Sequence, residues 1–241
     1  MFPQDDAPGY ANQFRDGPLP EAISLLAADP ANQDTAVNSQ YYYAWFRDIK
    51  TNQVLANDTQ FMSPPVRKTV NGVPDRFSQW VYDDFGDSSA ALTQFTTNPF
   101  GGKDIIIISN SICASTCSVV SNHLYEKYGV RTASFEGLPF SRSSQFDGGV
   151  KGTQVAAYED LQFELSLWPQ LSSRTDLPGP LPVKASASVN FRNGLSLKQP
   201  QYGILEFVDY EADNHYQYTL DNWRNPQAAW EDVADRTWGK N

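Results

Sequence analysis

The chain has 241 residues, of which 40% are hydrophobic and 13% aromatic, and it carries a formal net charge of −10. This length and composition suffice for one sizeable core or two modest ones and argue against a disordered chain. An acidic chain without a clustered basic stretch argues against nucleic acid as a partner. No apolar run approaches the roughly 20 residues needed to cross a bilayer, so no membrane span is predicted.

The first 80 residues are predicted to form an irregular, aromatic-rich lead-in, which is interpreted as the truncated start of a larger fold. Residues 1–18 are predicted to be irregular, and residues 19–28 to form a short helix with Pro20 in its first turn. The aromatic residues 40–47 are predicted to pack in a core, as helix or strand. The N-terminus has no charged segment followed by an apolar one and therefore does not resemble a secretion signal.

The most informative stretch runs from Asp104 to Lys127. Ile105 to Ile108 predict a strand buried on both faces, as in a parallel sheet. Small and hydroxyl residues follow at 111–118. Helical spacing then predicts a buried apolar face made of Cys117, Val120, Leu124 and Tyr128. Gly129 occupies the expected position of the C-cap. The stretch therefore predicts strand, tight turn and helix, with Ser115 near the start of the helix.

A second strand is predicted after this helix, at 130–136, which completes a right-handed βαβ unit. Further strands are predicted at 153–158, 185–191 and 204–208. The chain is predicted to end in a helix that begins with Asn225 as cap and Pro226 at the first position, and that places Trp230, Val233 and Trp238 on one face.

The turn at Ser115 is a suitable position for an active site, because α/β proteins usually place their active sites at the carboxyl ends of sheet strands. Free N–H groups at a helix start can stabilise a developing oxyanion, which makes the Thr116 N–H a candidate donor. Ser115 is a candidate nucleophile that would need a base. The alternative interpretation is that Ser115 is an ordinary helix cap.

The chain has two cysteines, Cys113 and Cys117, and two histidines. With so few ligands, neither a zinc site nor any other metal or cofactor is expected. The cysteines can form a disulfide only if the turn between them is not regular helix. Alternatively, they are two small buried apolar residues that flank the turn.

Two motifs in this order resemble a known family. The first is Cys113-Ala114-Ser115-Thr116-Cys117, and the second is Gly148-Gly149-Val150-Lys151-Gly152. Together they resemble the tail-specific proteases, the peptidase S41 family, and most closely its secreted fungal branch. The resemblance covers the predicted core at residues 81–241 and, more weakly, the first 80 residues, and it includes Tyr218-Thr219 before a Trp-containing helix. It implies a crotonase/ClpP-like ββα core, hydrolysis of peptide bonds in peptide or protein substrates, and an extracellular location.

The resemblance also implies roles for individual residues. Ser115 matches the nucleophile of the family, and Lys151-Gly152-Thr153 is similar to the stretch that supplies a lysine general base in bacterial members. In a water-poor cleft a lysine can be neutral and can take a serine proton. Asp147 either orients Lys151 or forms a turn before Gly148.

Other members, of the chlamydial type, use a histidine base supported by an acid. His123 lies eight residues after Ser115 on the same predicted helix, about 12 Å along its axis at 1.5 Å per residue, and cannot reach it. Nothing in the sequence brings His215 near Ser115. No stretch before residue 100 resembles the Gly-rich strand end that helps to form the oxyanion hole of the family.

Two hypotheses follow. The first is a serine-type peptidase that uses Ser115 and Lys151. The second is a catalytically incomplete relative that binds extended peptides by strand addition. An acyl-CoA enzyme of the same architecture is a third class, but no pair of acidic residues on active-site loops supports it, and fold alone does not determine function.

Overall fold

The computed structural model describes residues 11–57, 61–70, 72–84, 100–136, 144–151, 154–179, 181, 186–196 and 204–239. The fold is α/β, as predicted. The chain divides into two compact units. Unit one comprises Met1–Gln94, Gly152–Leu195 and Gly203–Leu205, and unit two comprises Phe95–Lys151, Ser196–Tyr202 and Glu206–Asn241. The predicted division of the chain after residue 80 stays a prediction.

The strands in chain order are β1 (Asn12–Phe14), β2 (Phe46–Asp48), β3 (Val66–Val70), β4 (Val73–Phe77), β5 (Val81–Asp83), β6 (Ile106–Ser109), β7 (Arg131–Glu136), β8 (Gln154–Ala157), β9 (Ser188–Gly194) and β10 (Asn214–Gln217). The α-helices are α1 (Pro18–Ala28), α2 (Gln33–Ala36), α3 (Thr116–Tyr128), α4 (Tyr158–Ser166), α5 (Leu220–Arg224) and α6 (Pro226–Trp238). Short 3-10 turns cover Pro30–Asn32, Tyr43–Trp45, Gly102–Asp104, Pro169–Leu171 and Leu205–Phe207.

Unit one is organised around an antiparallel sheet in the order β2-β5-β1-β9-β8, and β3 and β4 form a separate two-stranded ribbon. The ring of Phe14 on β1 lies at the centre of an aromatic cluster. It contacts the rings of Tyr41, Phe46, Phe61 and Phe191 at centroid distances of 5.1–5.8 Å. Aromatic side chains pack at such distances in preferred edge-to-face arrangements, and their large buried area stabilises the core.

Unit two contains a parallel sheet in the order β10-β7-β6. The predicted βαβ unit is confirmed, because β6 and β7 pair in parallel and α3 connects them. Gly129 ends α3 with a left-handed φ of +64°. The predicted helix from Pro226 is α6, which buries Ala229 and Val233 against the sheet.

The predicted inward face of α3 is wrong. Its buried residues are polar (Ser118, Ser121 and Asn122), whereas Val120 and Tyr128 are exposed. The physical reason is that a hydrogen-bonding partner covers the polar face, as described below. The prediction for β6 is also wrong in part, because its residues are half-buried rather than buried on both faces. β6 is the last strand of its sheet among the described residues.

Three further local predictions differ from the structure. Residues 12–14 form β1 rather than irregular chain, because their backbone pairs with β5 and β9. The strand predicted at 204–208 is the 3-10 turn Leu205–Phe207. Trp230 and Trp238 are exposed, and Val233 packs with Ala229 because residues four apart share one helix face.

No helix among the described residues is long and apolar enough to cross a membrane.

Candidate functional site

Ser115 lies at the turn between β6 and α3. It is the N-cap residue of α3, with φ +55° and ψ −126°, and its side chain makes no capping hydrogen bond. A positive φ is costly for a residue with a Cβ, and such strain clusters at functional sites. The alternative interpretation of Ser115 as an ordinary cap therefore fails, since a capping serine has an extended backbone and accepts a hydrogen bond with its Oγ.

The structure brings the two sequence motifs into contact through their backbones. The Ser115 N–H donates to the Val150 carbonyl over 2.7 Å, and the Gly148 N–H donates to the Cys113 carbonyl over 3.2 Å. Glycine is required for this approach, because a Cβ at Gly148 would lie 2.1 Å from the Ser111 carbonyl oxygen. Gly149 has a φ of +86°, and a Cβ there would lie 2.9 Å from the Ala114 Cβ.

Lys151 is buried, and its ammonium group points to acceptors other than Ser115. Nζ donates to the Val208 carbonyl over 2.6 Å and to Gln145 Oε1 over 2.5 Å. It also lies 3.4 Å from Asp147 Oδ1. No hydrogen bond joins Lys151 Nζ to Ser115 Oγ within the described part of the chain.

Asp147 links the second motif to the inward face of α3. Its Oδ2 accepts hydrogen bonds from Ser118 Oγ over 2.9 Å and from Asn122 Nδ2 over 2.7 Å. Its side chain is fully buried, and its other oxygen faces Lys151. A buried carboxylate is tolerated when it is paired and hydrogen-bonded. Asp147 therefore forms a buried ion pair with Lys151, and its hydrogen bonds explain the polar face of α3.

The first turn of α3 also carries a disulfide and a candidate oxyanion donor. Cys113 and Cys117 are bonded to each other, which settles the alternative left open by the sequence. The residues between them include the N-cap rather than regular helix, as such a bond requires. The Thr116 N–H has no acceptor among the described residues, as is usual for the first N–H groups of a helix.

The two histidines lie in other environments. His123 on α3 packs against the ring of Tyr128, and burial lowers its pKa. His215 on β10 lies 2.8 Å from Glu136 Oε1 through Nδ1 and 3.3 Å from Ser144 Oγ. Neither histidine forms a hydrogen bond with Ser115 among the described residues.

The sequence analysis did not identify several residues that contact the second motif. They are Ser118, Asn122, Gln145, Glu206 and Val208, which contact Asp147 or Lys151. Ser118 and Asn122 were detectable in principle, because two polar residues four apart lie on one helix face. Gln145 lies six residues before Lys151, whereas Glu206 and Val208 belong to a segment 55–57 residues later that only the tertiary fold brings to Lys151.

This arrangement offers a strained serine, an unused helix N–H and a rigid backbone connection to a buried lysine. Those are parts of a nucleophilic site for acyl transfer. Within the described ranges no group of three His, Cys, Asp or Glu side chains could hold a metal ion. Gly152 and Thr153 of the lysine motif lie outside the described residues.

Comparisons with known proteins find relatives whose names carry the family that the sequence motifs resemble. The chain is 29% identical to the peptidase S41 family protein ustP of Aspergillus flavus, over a match that covers 60% of this chain and 35% of the relative. It is 41% and 39% identical to the peptidase S41 family proteins phomP1 and phomP1' of Diaporthe leptostromiformis, each over 69 residues. These matches cover 29% of this chain and 10% of either relative.

The predicted resemblance to the fungal members of the peptidase S41 family is therefore confirmed. The chain spans about a third of the length of ustP. No family model matches the chain, and no solved structure matches it.

Proposed function

We propose that this chain is a serine peptidase domain with Ser115 as the nucleophile and with the crotonase/ClpP-like core of its family. The observation that carries the proposal is the strained backbone of Ser115 at the start of α3, next to a Thr116 N–H without an acceptor. The peptidase S41 relatives support the same class of reaction. These relatives favour a peptidase function over the alternative of a protein that only binds peptides.

In the proposed reaction, Ser115 Oγ attacks the carbonyl carbon of a peptide bond while a base takes its proton. The negative charge that develops on the carbonyl oxygen is stabilised by the Thr116 N–H. Such a donor contributes about 100- to 1000-fold in rate. The C–N bond then breaks, the amine leaves with a proton, and water releases the acyl group from Ser115.

Lys151 is the proposed general base, and this role makes a specific demand on its side chain. Nζ must release a proton and turn its lone pair toward Ser115 Oγ, and its two remaining N–H groups can then keep only two of its three contacts with Gln145, Val208 and Asp147. A second role for Lys151 is to position Ser115, because its neighbour Val150 accepts the Ser115 N–H.

These two roles are separable. Arginine stays charged and cannot act as a base, but it can still donate to Asp147 and Val208. If Lys151 is the base, Lys151→Arg and Lys151→Ala both lose activity. If it only positions Ser115, Lys151→Arg retains a substantial fraction while Lys151→Ala does not. Melting temperatures of both variants report whether the fold is intact.

The experiment that tests the proposed function is cleavage of an unfolded protein such as casein, followed by detection of new N-termini. We expect cleavage by the wild type and none by Ser115→Ala. Ser172→Ala is the matched control, because Ser172 is an exposed serine of unit one. Binding of casein by a folded wild type without cleavage would overturn the proposal in favour of the peptide-binding relative.

The proposal includes an extracellular location, which the Cys113–Cys117 disulfide supports, because disulfides persist in oxidising compartments. Alkylation of the protein as isolated from its host, without reductant, should modify neither cysteine. Modification of both cysteines under these conditions would contradict an oxidising location.

A further inference from the structure

Unit two contains an apolar cleft of about 350 Å³ beside the first turn of α3. Its lining residues come from β6, the turn before Ser115, β7, the residue after β10, and helices α3, α5 and α6. They include Ile107, Ile108 and Ser109 of β6, the bonded pair Cys113 and Cys117, and the rim residues Trp223 and Trp230. No lining side chain is charged, although 19% of the residues in the chain are. This set is called the tryptophan cleft below.

The rim of the tryptophan cleft exposes large apolar side chains. Ile112 is 82% exposed, Trp223 is 66% exposed and Trp230 is 59% exposed. Single exposed apolar residues are ordinary, but several around one concave apolar surface mark a binding site. The absence of charge in the lining disfavours a charged ligand group, because such a group would lose its hydration without gaining a partner.

One wall of the tryptophan cleft is β6, an edge strand of its sheet among the described residues. Within the described residues, β6 pairs with β7 on one side and with no strand on the other. Ile107, Ile108 and Ser109 of β6 all line the cleft. An edge strand presents unpaired N–H and C=O groups, to which an extended peptide can add as a further strand. Alternate side chains of such a peptide would then face the cleft.

The tryptophan cleft is continuous with the turn that carries Ser115. Cys113 and Cys117 line it, and their disulfide spans the turn with Ser115 at its centre. A peptide held on β6 would therefore place a side chain in a pocket whose wall includes the residues two before and two after the candidate nucleophile in the sequence. The disulfide fixes that wall covalently, so the pocket and the nucleophile keep one mutual geometry.

We infer that the tryptophan cleft selects substrates by one bulky apolar side chain, aromatic or long aliphatic, of a peptide that adds as a strand to the free edge of β6. The inference rests on the proposed function, since it assigns the substrate class of the same site. Trp223 and Trp230 are specificity residues in this account, and the β6 backbone supplies most of the sequence-independent affinity.

The test uses the Ser115→Ala variant, which cannot cleave, and two fluorescein-labelled nine-residue peptides that differ at the central position, Phe or Glu. Fluorescence polarisation should show the Phe peptide binding at least about tenfold more tightly, as expected for one buried apolar anchor. N-methylation of alternate amides of the Phe peptide, which removes the donors that would face β6, should weaken its binding by a similar factor.

Matched tryptophans provide the control. Trp230→Ala should weaken binding of the Phe peptide about tenfold. Trp238→Ala should change it less than twofold, because Trp238 lies on the same helix, is 50% exposed and does not line the cleft. If Trp230→Ala lowers the melting temperature, Trp223→Ala replaces it as the rim variant in the binding comparison.

Equal binding of the Phe and Glu peptides, or equal effects of Trp230→Ala and Trp238→Ala, would overturn the inference. So would a concentration-dependent dimer that Trp230→Ala abolishes, because the cleft would then hold a second copy of the chain. Labelling of wild-type Ser115 by a fluorophosphonate is measured in parallel. If Ser115 is labelled but the Phe and Glu peptides bind equally, the inference about the tryptophan cleft is refuted and the proposed peptidase function is not. If peptide binding depends on the cleft but Ser115 is not labelled, the proposed peptidase function is refuted and binding in the cleft is not.

Discussion

One buried cluster in each unit illustrates a different kind of packing. In unit one the ring of Phe14 is surrounded by four other aromatic rings, and the guanidinium of the buried Arg192, which pairs with Asp83, lies 4.7 Å from the centroid of the Phe14 ring. In unit two the inward face of α3 is polar and is covered by the buried Asp147–Lys151 pair. The aromatic cluster is stabilised by buried area and ring contacts, whereas the polar network depends on each of its hydrogen bonds and on its charge pair. Because the Val150 carbonyl, next to Lys151, accepts the Ser115 N–H, we expect the polar network to hold a geometry for chemistry.

The same contrast holds between two lysines, one in each unit. Lys68 Nζ on β3 donates to Gln13 Oε1 and lies 4.2 Å from the ring centroid of Trp80. Burial lowers its pKa to about 8. Lys151 instead faces the Asp147 carboxylate and two further oxygens. Four predictions test this contrast, from the largest expected effect to the smallest.

The aromatic core of unit one should be the most sensitive to truncation. Phe14→Ala should lower the free energy of unfolding by about 3–5 kcal/mol, because it removes a fully buried ring at the centre of the cluster. Chemical denaturation measures this change. Phe163→Ala is the control, since Phe163 is 57% exposed and should change stability by about 0.5 kcal/mol or less. Similar losses for both variants would show that the cluster does not dominate the stability of unit one.

The polar network of unit two should respond to loss of a single partner. Asp147→Ala leaves Lys151 buried without its carboxylate and removes the acceptor of Ser118 and Asn122. We expect a loss of about 3 kcal/mol, which is typical of breaking a buried ion pair. The double variant Asp147→Ala/Lys151→Met should regain part of this stability. If the two single effects simply add, the pair is not coupled.

The close approach of the two motifs gives the third prediction. Gly148→Ala would place a Cβ 2.1 Å from the Ser111 carbonyl oxygen, so the backbone must shift. We expect a loss of about 1–3 kcal/mol and slower reaction of Ser115 with a fluorophosphonate. Gly179→Ala is the control, because no atom lies within 4 Å of a Cβ there. An unchanged reaction rate in Gly148→Ala would mean that the glycine segment does not position Ser115.

The smallest effect concerns the pH dependence of stability. The pKa of Lys68 is about 8 in the folded chain and 10.5 in the ordinary case. Between these values the unfolded chain binds more protons than the folded one, so stability contributed by this group rises as pH increases from 8 to 10.5. Lys68→Met should remove that rise, as seen in unfolding curves at pH 7.5, 9 and 10.5. Lys50→Met, at an exposed lysine, should leave it unchanged.

The sequence predicted elements whose signals are local. Pro20 and the apolar residues after it indicated α1, Pro226 indicated the start of α6, and Gly129 indicated the end of α3. The β6-α3-β7 unit was predicted from one run of apolar residues and from apolar residues at helical spacing after it. These features depend on propensity and caps, which neighbouring residues determine.

What the sequence did not predict depends on distant partners. The polar face of α3 is buried because the fold brings Asp147, 29 residues after Ser118 in the sequence, to accept its hydrogen bonds. The spacing of apolar residues alone favours burial of the opposite face. Trp230 and Trp238, which helical spacing placed on one face with Val233, are exposed in the structure. For the candidate site, the family resemblance grouped Ser115 with the lysine segment, and the structure shows a backbone hydrogen bond between these two segments. The acceptors of Lys151 could be identified only from the fold.

The central claim is that Ser115 is a reactive nucleophile, and covalent capture tests it most directly. The folded wild type would be treated with a fluorophosphonate and the adduct located by peptide mapping in a mass spectrometer. The account predicts one adduct, on the peptide that contains Ser115, and none in Ser115→Ala. A folded wild type that stays unmodified, or an adduct that persists in Ser115→Ala, would contradict it.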